Sequence, residues 1–382
     1  MKNIIFFILI SLFFVSQVSA QEKTTDTQSL FNKALSFHYA NKDSAYFYYE
    51  KTIAKANKEN NITTLLNSYY YLTNVNGNYY DLKNYHKNIK RQEKLLFTDK
   101  RLDTFSFLND YKKLLLFDKG NYNYKIKQYE SSKTHFKNLL EKLNKEKFNK
   151  TNIETLQSVY SFLGAIYKNT GKFEVANSYY EKSIHLTEAN KDSLTNWESK
   201  IHSFKKLQAK NFIAKKEFKK ANKLLSEAFV FYSKNTKIPQ FKNNFISTYV
   251  ALAKNNIKQK HYHKAIQILN ENTRFLKTDN PFDREIEILY GDAYLGLNFH
   301  TKADFYYKRS LEKTKQYRNN NKHQDVALIY AKLGELSFKQ QEYEEALQNY
   351  QKALMQLENS FVNENFADNP NPEKVVSKTT LI

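Results

Sequence analysis

Between Tyr330 and Leu354 the chain reads YAKLGELSFKQQEYEEALQNYQKAL. Here Gly334 is followed twelve residues later by Ala346, with Tyr330, Leu333, Tyr343, Tyr350 and Ala353 placed around that small pair. The same interval separates Gly120 from Ser132, Gly164 from Ala176, Ala209 from Ala221, Ala253 from Ala265 and Gly291 from Ala303. A small residue on each of two antiparallel helices lets their backbones approach closely, and aromatic side chains fill the holes beside the contact. Recurrence at one interval along the whole chain predicts a stack of helical hairpins, an all-α repeat architecture.

The small residue of each first helix serves as a ruler. It falls at Gly77, Gly120, Gly164, Ala209, Ala253, Gly291 and Gly334, in steps of 38 to 45 residues. That exceeds the roughly 34 residues of the commonest two-helix repeat. The excess is expected in long first helices, Asp192 to Lys215 and Gln240 to Gln259, where apolar residues keep a helical spacing. Loops have little room, with seven glycines and four prolines in 382 residues. Pro239 and Pro281 are expected just ahead of new helices, where a missing N–H is harmless. A first hairpin over about 27–58 keeps Ala45 and Tyr49 but has Lys33 at the small position. A second, over about 62–97, keeps Gly77 but has Ile89 where alanine recurs. Terminal repeats depart from the pattern because one of their faces meets solvent. After Ser360 the chain turns Asn-rich, with Pro370 and Pro372, and 361–382 is expected to be a disordered tail.

Over 27–360 the chain resembles the tetratricopeptide repeat (TPR) family. Tyr160, Leu163, Gly164, Tyr167, Phe173, Ala176 and Tyr180, together with the Tyr330 to Ala353 set, carry the likeness. The resemblance implies a right-handed α-solenoid of about eight TPR-like hairpins, whose first helices line a concave groove that binds a protein or peptide segment. Longer-period arrays also look like the sensory parts of membrane-bound bacterial regulators. A periplasmic sensory array present without its output domain is therefore the alternative reading.

Met1 to Asn3 form a short basic opening, Ile4 to Val15 an almost unbroken apolar run, and Val18-Ser19-Ala20 a small-residue exit. This predicts a cleavable signal peptide over 1–20 and a periplasmic or secreted product without stable membrane insertion. The chain has no cysteine, which rules out disulfides and thiolate metal sites. The net charge of +21 raises nucleic acid as a partner. However, only six of the 60 basic residues are arginine, the lysines are spread over every repeat, and export removes the chain from nucleic acid. No nucleic-acid partner is expected.

Catalytic and cofactor motifs are missing. Gly171-Lys172 resembles the end of a phosphate loop, but Phe173 replaces the hydroxyl residue, so it reads as an inter-helix turn. His261 and His263 lie two apart at a helix start and diverge on a helix, which argues against a metal site. Neither a serine elbow nor a zinc-binding HExxH appears, so neither enzymatic activity nor a cofactor is expected. Most tyrosines, including Tyr167, Tyr180, Tyr294, Tyr307, Tyr343 and Tyr350, fall at core offsets. Chemistry is left to the groove. In the family, the second, fifth, ninth, twelfth and thirteenth positions of each repeat face it. Those positions give Asn78, Asn121, Tyr124, Lys168, Lys206, Lys210, Lys254 and Lys258 as candidate ligand-binding residues, with Lys125 beside them. Asp292 and Glu335 make the far end acidic. The Lys-and-Asn arrangement resembles a clamp for a peptide's terminal carboxylate, although Asn74 and Phe117 leave it incomplete. An acidic segment is the expected guest.

Overall fold

The computed structural model describes residues 26–79, 81–146, 149–273, 282–318, 320–358, 360–365 and 367–369. The expected signal peptide, Pro281 and positions 370–382 lie outside them. Among the described residues the chain is all helical and forms a TPR-like α-solenoid. It divides into two units, 1–197 and 198–382.

In the first unit four hairpins follow one another. They are Asp26–Phe37 (α1) with Lys42–Lys58 (α2), Ile62–Asn78 (α3) with Leu82–Thr98 (α4), Leu108–Lys125 (α5) with Tyr129–Leu143 (α6), and Lys150–Asn169 (α7) with Phe173–Ala189 (α8). The second unit holds Trp197–Ala214 (α9) with Phe218–Lys234 (α10), Pro239–Lys258 (α11) with Tyr262–Asn272 (α12), Asp283–Gly296 (α13) with His300–Tyr317 (α14), and Gln324–Lys339 (α15) with Tyr343–Met355 (α16). Side-chain caps start several helices: Asn61 accepts from the Thr64 N–H, Asp81 from Asn84 and Asn149 from Asn152, each satisfying a donor that the first turn leaves open.

The turns inside the hairpins repeat as faithfully as the small pairs. Seven residues after the first-helix small residue, the backbone enters the left-handed region at Lys127, Gly171, Lys216, Lys260, Asn298 and Gln341. The next N–H then reaches back to a carbonyl five residues earlier: Lys172 to Tyr167 at 2.8 Å, Glu217 to Phe212 at 2.8 Å and Glu342 to Ser337 at 2.9 Å. This is the Schellman closure of a helix end. Gly171 is therefore a turn glycine, and the other hairpins accept a side chain in a conformation that L residues disfavour.

The small residue clears space for a ring. A Cβ placed on Gly164 would meet Tyr180 Cε1 at 2.5 Å, one on Gly120 would meet Phe136 at 2.8 Å, and one on Gly291 would meet Tyr307 at 2.3 Å. Each ring lies sixteen residues beyond its glycine and is fully buried. Where the first-helix residue is alanine the partner shrinks: Ala209 and Ala253 are paired with Leu225 and Leu269, also fully buried. In the α5–α6 hairpin, Ser132 substitutes for alanine and donates its hydroxyl to the Gly120 carbonyl at 2.7 Å.

Within each unit, successive first helices pack on one another, α1 with α3, α3 with α5, α5 with α7, and α11 with α13, in addition to the contacts between consecutive helices. Crowding along the first-helix side puts that side on the inside of each unit's curve.

Three expectations need correction. The helix expected from Asp192 begins at Trp197, after a 3₁₀ turn over Lys191–Ser193 and the buried Leu194, whose apolar side chain prolongs the periodicity of the helix it precedes. Pro239 is the first residue of α11 and not a residue ahead of it. Tyr343 and Tyr350, expected in the core, are exposed because, among the described residues, no hairpin packs on α16 from beyond it. Beyond Leu357 the described residues are non-helical. They are nevertheless attached: Gln351 donates to the carbonyls of Asn363, Asn365 and Asp368, and Lys322 to those of Glu358 and Phe361.

Candidate functional site

The inner face of the second unit gathers charge. On α9, Lys206 points its ammonium at α11, donating to Ser247 Oγ at 2.7 Å and Asn244 Oδ1 at 3.1 Å, with the Tyr232 ring 5.4 Å away. Every one of these partners is neutral, so they orient the ammonium without cancelling its charge. One turn along, Lys210 keeps an exposed side chain. Burial, aided by Lys210, pulls the Lys206 pKa down to about 7. Crowding by protein atoms also lowers the pKa of Lys210, with Lys254 adding to the effect and Glu285 opposing it. An ammonium can be both wetted and hemmed in on a concave wall. Lys254 on α11 lies 3.7 Å from Glu285 on α13, both half exposed, and Lys258 is exposed at the end of α11. Further along, Lys332 on α15 sits between Asp292 at 3.0 Å and Glu335 at 3.1 Å, and Asp292 also accepts from the Tyr307 hydroxyl. The inner face thus runs from excess lysine on α9 and α11 to acid balanced by lysine on α13 and α15.

The inner face of the first unit has a different character. Asn78 is exposed at the last position of α3. Asn121 on α5 is half-buried and hydrogen-bonds the Tyr85 hydroxyl. Tyr124 packs edge-on to Phe162 of α7, at 5.4 Å between centroids, and its hydroxyl accepts from Asn169 at 3.3 Å. Lys168 donates to the neighbouring Asn169 at 2.7 Å. Burial pulls Lys125 down to about 8. Behind this row Asp118 is almost wholly buried, within reach of the Tyr85 hydroxyl at 3.4 Å, while its Oδ2 meets no hydrogen-bond partner among the described residues. Burial pushes this carboxyl up to about 8, so it is mostly protonated at neutral pH.

Of the sequence candidates, Lys206, Lys210 and Lys254 come together on α9 and α11 of the second unit, while Lys258 is exposed at the last position of α11. Asn78, Asn121, Tyr124 and Lys168 are spread over three helices of the first and share no common ligand position. Sequence reasoning missed Asn244, Asp118 and Lys332. The last two occupy the sixth position of their repeats, one place outside the expected groove register, and no signal short of the packing itself marks them. Ser247 and Glu285 lie at the second position, which the register does mark. Among the described residues no group of three or more His, Cys, Asp or Glu residues could hold a metal ion, and no helix is long and apolar enough to cross a membrane.

No protein-family model matches the sequence, and no curated protein does. Solved structures similar in fold include aspartyl phosphate phosphatase F from Bacillus subtilis, with 14% identity over 90% of this chain and 86% of the other at a TM-score of 0.55. NprR in complex with its cognate peptide NprX shares 12% identity over 90% and 91%, at a TM-score of 0.54. A Rap protein complexed with competence and sporulation factor shares 13% identity over 87% and 98%, at a TM-score of 0.52. At these identities the likeness is one of fold.

Proposed function

We propose that this chain is an exported, non-catalytic scaffold that binds an acidic peptide or protein segment on the inner face of its second unit. The observation that carries the reading is the lysine set on α9 and α11: Lys206, Lys210 and Lys254 lie close enough to act on one another, Lys258 is exposed at the end of α11, and the carboxylate beside Lys210 and Lys254 is that of Glu285. Neutral partners on α11, Ser247 and Asn244, hold Lys206 beside Lys210, an arrangement that an anionic guest relieves. The NprR structure, which holds its cognate peptide, supports a peptide as the guest. Export rests on the pattern of residues 1–20 and places the product in the periplasm or medium. An N-terminus at or near Gln21 on protein recovered from outside the cytoplasm would bear it out, and intact Met1 on cytosolic protein would exclude it.

The test is affinity capture from an envelope extract, followed by calorimetric titration of the captured segment. Lys206→Glu/Lys210→Glu is expected to weaken binding about tenfold or more, whereas the outward-facing Lys219→Glu/Lys223→Glu leaves it within about twofold. Added salt should weaken it as well, since exposed charges are screened over about 8 Å at physiological ionic strength. Because burial and Lys210 lower the Lys206 pKa to about 7, binding of an acidic guest takes up a proton above that value, and affinity falls as pH rises above about 7. Unchanged affinity in the Lys206/Lys210 pair, with no salt dependence, would eliminate the acidic guest.

A further inference from the structure

Lys206, half-buried on the wall of the inner face, has the contacts of a free amine and lacks those of a paired ammonium. Its Nζ donates to Ser247 Oγ at 2.7 Å and to Asn244 Oδ1 at 3.1 Å, and a third approach, to the Asn244 carbonyl oxygen, is stretched to 3.5 Å. Ser247 spends its own hydrogen on that carbonyl at 3.0 Å, so its oxygen only accepts from the lysine. Two good acceptors thus take both hydrogens of a neutral Nζ and leave its lone pair unshared. Nor does a carboxylate offset a charge here: Glu227 on α10 is taken by Lys205 at 2.7 Å, and Glu285 acts on Lys210 and Lys254. His202, one turn earlier on α9, is kept neutral by burial, its pKa lowered to about 4, and burial pushes the Tyr232 hydroxyl up. The charge left beside Lys206 is the like charge of Lys210. Burial and that charge hold the Lys206 pKa near 7, so about half of it is free amine at neutral pH, against roughly one part in a few thousand for an unperturbed lysine.

We propose that Lys206 is a covalent capture site, which binds a small aldehyde bearing a carboxylate or phosphate as an imine while Lys210 holds the anionic group. The Nζ lone pair attacks the carbonyl carbon, a C–N bond forms, and one nitrogen proton passes to the carbonyl oxygen, for which Ser247 Oγ is the adjacent relay. That oxygen then leaves as water with the second nitrogen proton, the C–O bond breaks and C=N remains; nothing is oxidised or reduced. A lysine with its pKa lowered beside another cation is the activated form that carbonyl chemistry uses. The class of aldehyde follows from the spacing. Lys210 stands one helical turn, about 6 Å, along α9, so the anion and the carbonyl belong to one small molecule. Capture stands on the geometry of Lys206 and not on the acidic-peptide reading of the same face.

The chain has no cysteine, so no thiol competes for the probe. The full chain is incubated at neutral pH with para-carboxybenzaldehyde or, as the uncharged control, benzaldehyde. Borohydride then reduces the imine to a stable secondary amine, and labelling is read lysine by lysine by peptide mass spectrometry. With the carboxylate-bearing aldehyde, Lys206 is expected to label about tenfold or more faster than the exposed Lys219, and about fivefold faster than it does with benzaldehyde. Lys210→Met should abolish that preference and slow the reaction, since it removes both the anion's partner and the like charge that favours the free amine. Labelling of Lys206 no faster than that of Lys219 would overturn the proposal. So would equal labelling by the two aldehydes, or a preference that survives Lys210→Met, because Lys210 would then hold no anion. All rates on the unsubstituted chain are read with the aldehyde alone, so failure to find a peptide guest leaves this result untouched, and the reverse also holds.

Discussion

The hairpins that open the second unit and those that close the first use one helix register but fill it in opposite ways. In the α7–α8 hairpin, Gly164 vacates a space that the Tyr180 ring occupies; in the α11–α12 hairpin, Ala253 keeps its methyl and meets the smaller Leu269. The inner faces differ as well. The first unit hides the carboxyl of Asp118, whose Oδ2 meets no partner among the described residues, behind asparagine and aromatic rings, while the second presents Lys206 and Lys210. Volume at the helix crossing is set at the eighth and twenty-fourth positions of a repeat, and charge on the inner face at the fifth, sixth and ninth. Since these are different residues, a repeat can change its ligand surface without repacking its core.

The buried Asp118 carboxyl and the hemmed-in Lys206 amine should give stability opposite slopes with pH, and this is the largest effect expected. The Asp118 carboxyl, raised to about 8, keeps its proton in the folded chain where the unfolded chain has lost it. Stability therefore falls as pH rises from about 4 to about 8, by on the order of a few kcal/mol. Lys206, lowered to about 7, gives up its proton when folded while the unfolded lysine holds it, so its contribution rises with pH above about 7. Denaturant midpoints across this range should show Asp118→Asn flattening the acid-side decline; an unchanged slope would mean that another group dominates.

Exchanging the two packing solutions is next in size. Gly164→Ala drives a Cβ into a ring with no room to shift and should destabilise by about 1–3 kcal/mol. Adding Tyr180→Leu should restore part of the loss, giving a coupling of about 1 kcal/mol in a double-mutant cycle, whereas additive losses would show that glycine and ring are not one unit. The reverse change in the second unit, Ala253→Gly, creates no clash and should lower stability by only about 0.5–1 kcal/mol through backbone entropy. Smallest of all, Lys260→Gly relieves a left-handed side chain in the α11–α12 turn and should gain less than about 1 kcal/mol, read as a slight rise in Tm.

The hairpin register was legible because a glycine or alanine every 38 to 45 residues needs no tertiary information to be seen. The ring that each glycine accommodates was visible only as a nearby aromatic, since its sixteen-residue offset becomes a contact only after two helices cross. The helix start at Trp197 was missed because Leu194 extends the apolar periodicity through a turn that breaks the helix. Nothing in the sequence marks Asp118 as buried. Its burial comes from Tyr85, thirty-three residues earlier, and from the packing of neighbouring hairpins, which composition does not encode. The lysines on α9 and α11 were found because the groove register is helical. Their partners Asn244 and Ser247 were missed as partners because they lie across a helix boundary.

Contacts that join a helix only to its near neighbours also govern how the chain acquires and loses its structure. With little sequence separating the helices of any contact, loop closure costs little and a nucleus can form in more than one hairpin before spreading to the next. Unfolding need not then be all-or-none. A probe at Tyr49 in the first hairpin and one at Tyr307 in the seventh can report different denaturant midpoints, and a single transition temperature describes the array only while the couplings between adjacent hairpins outweigh the differences among them.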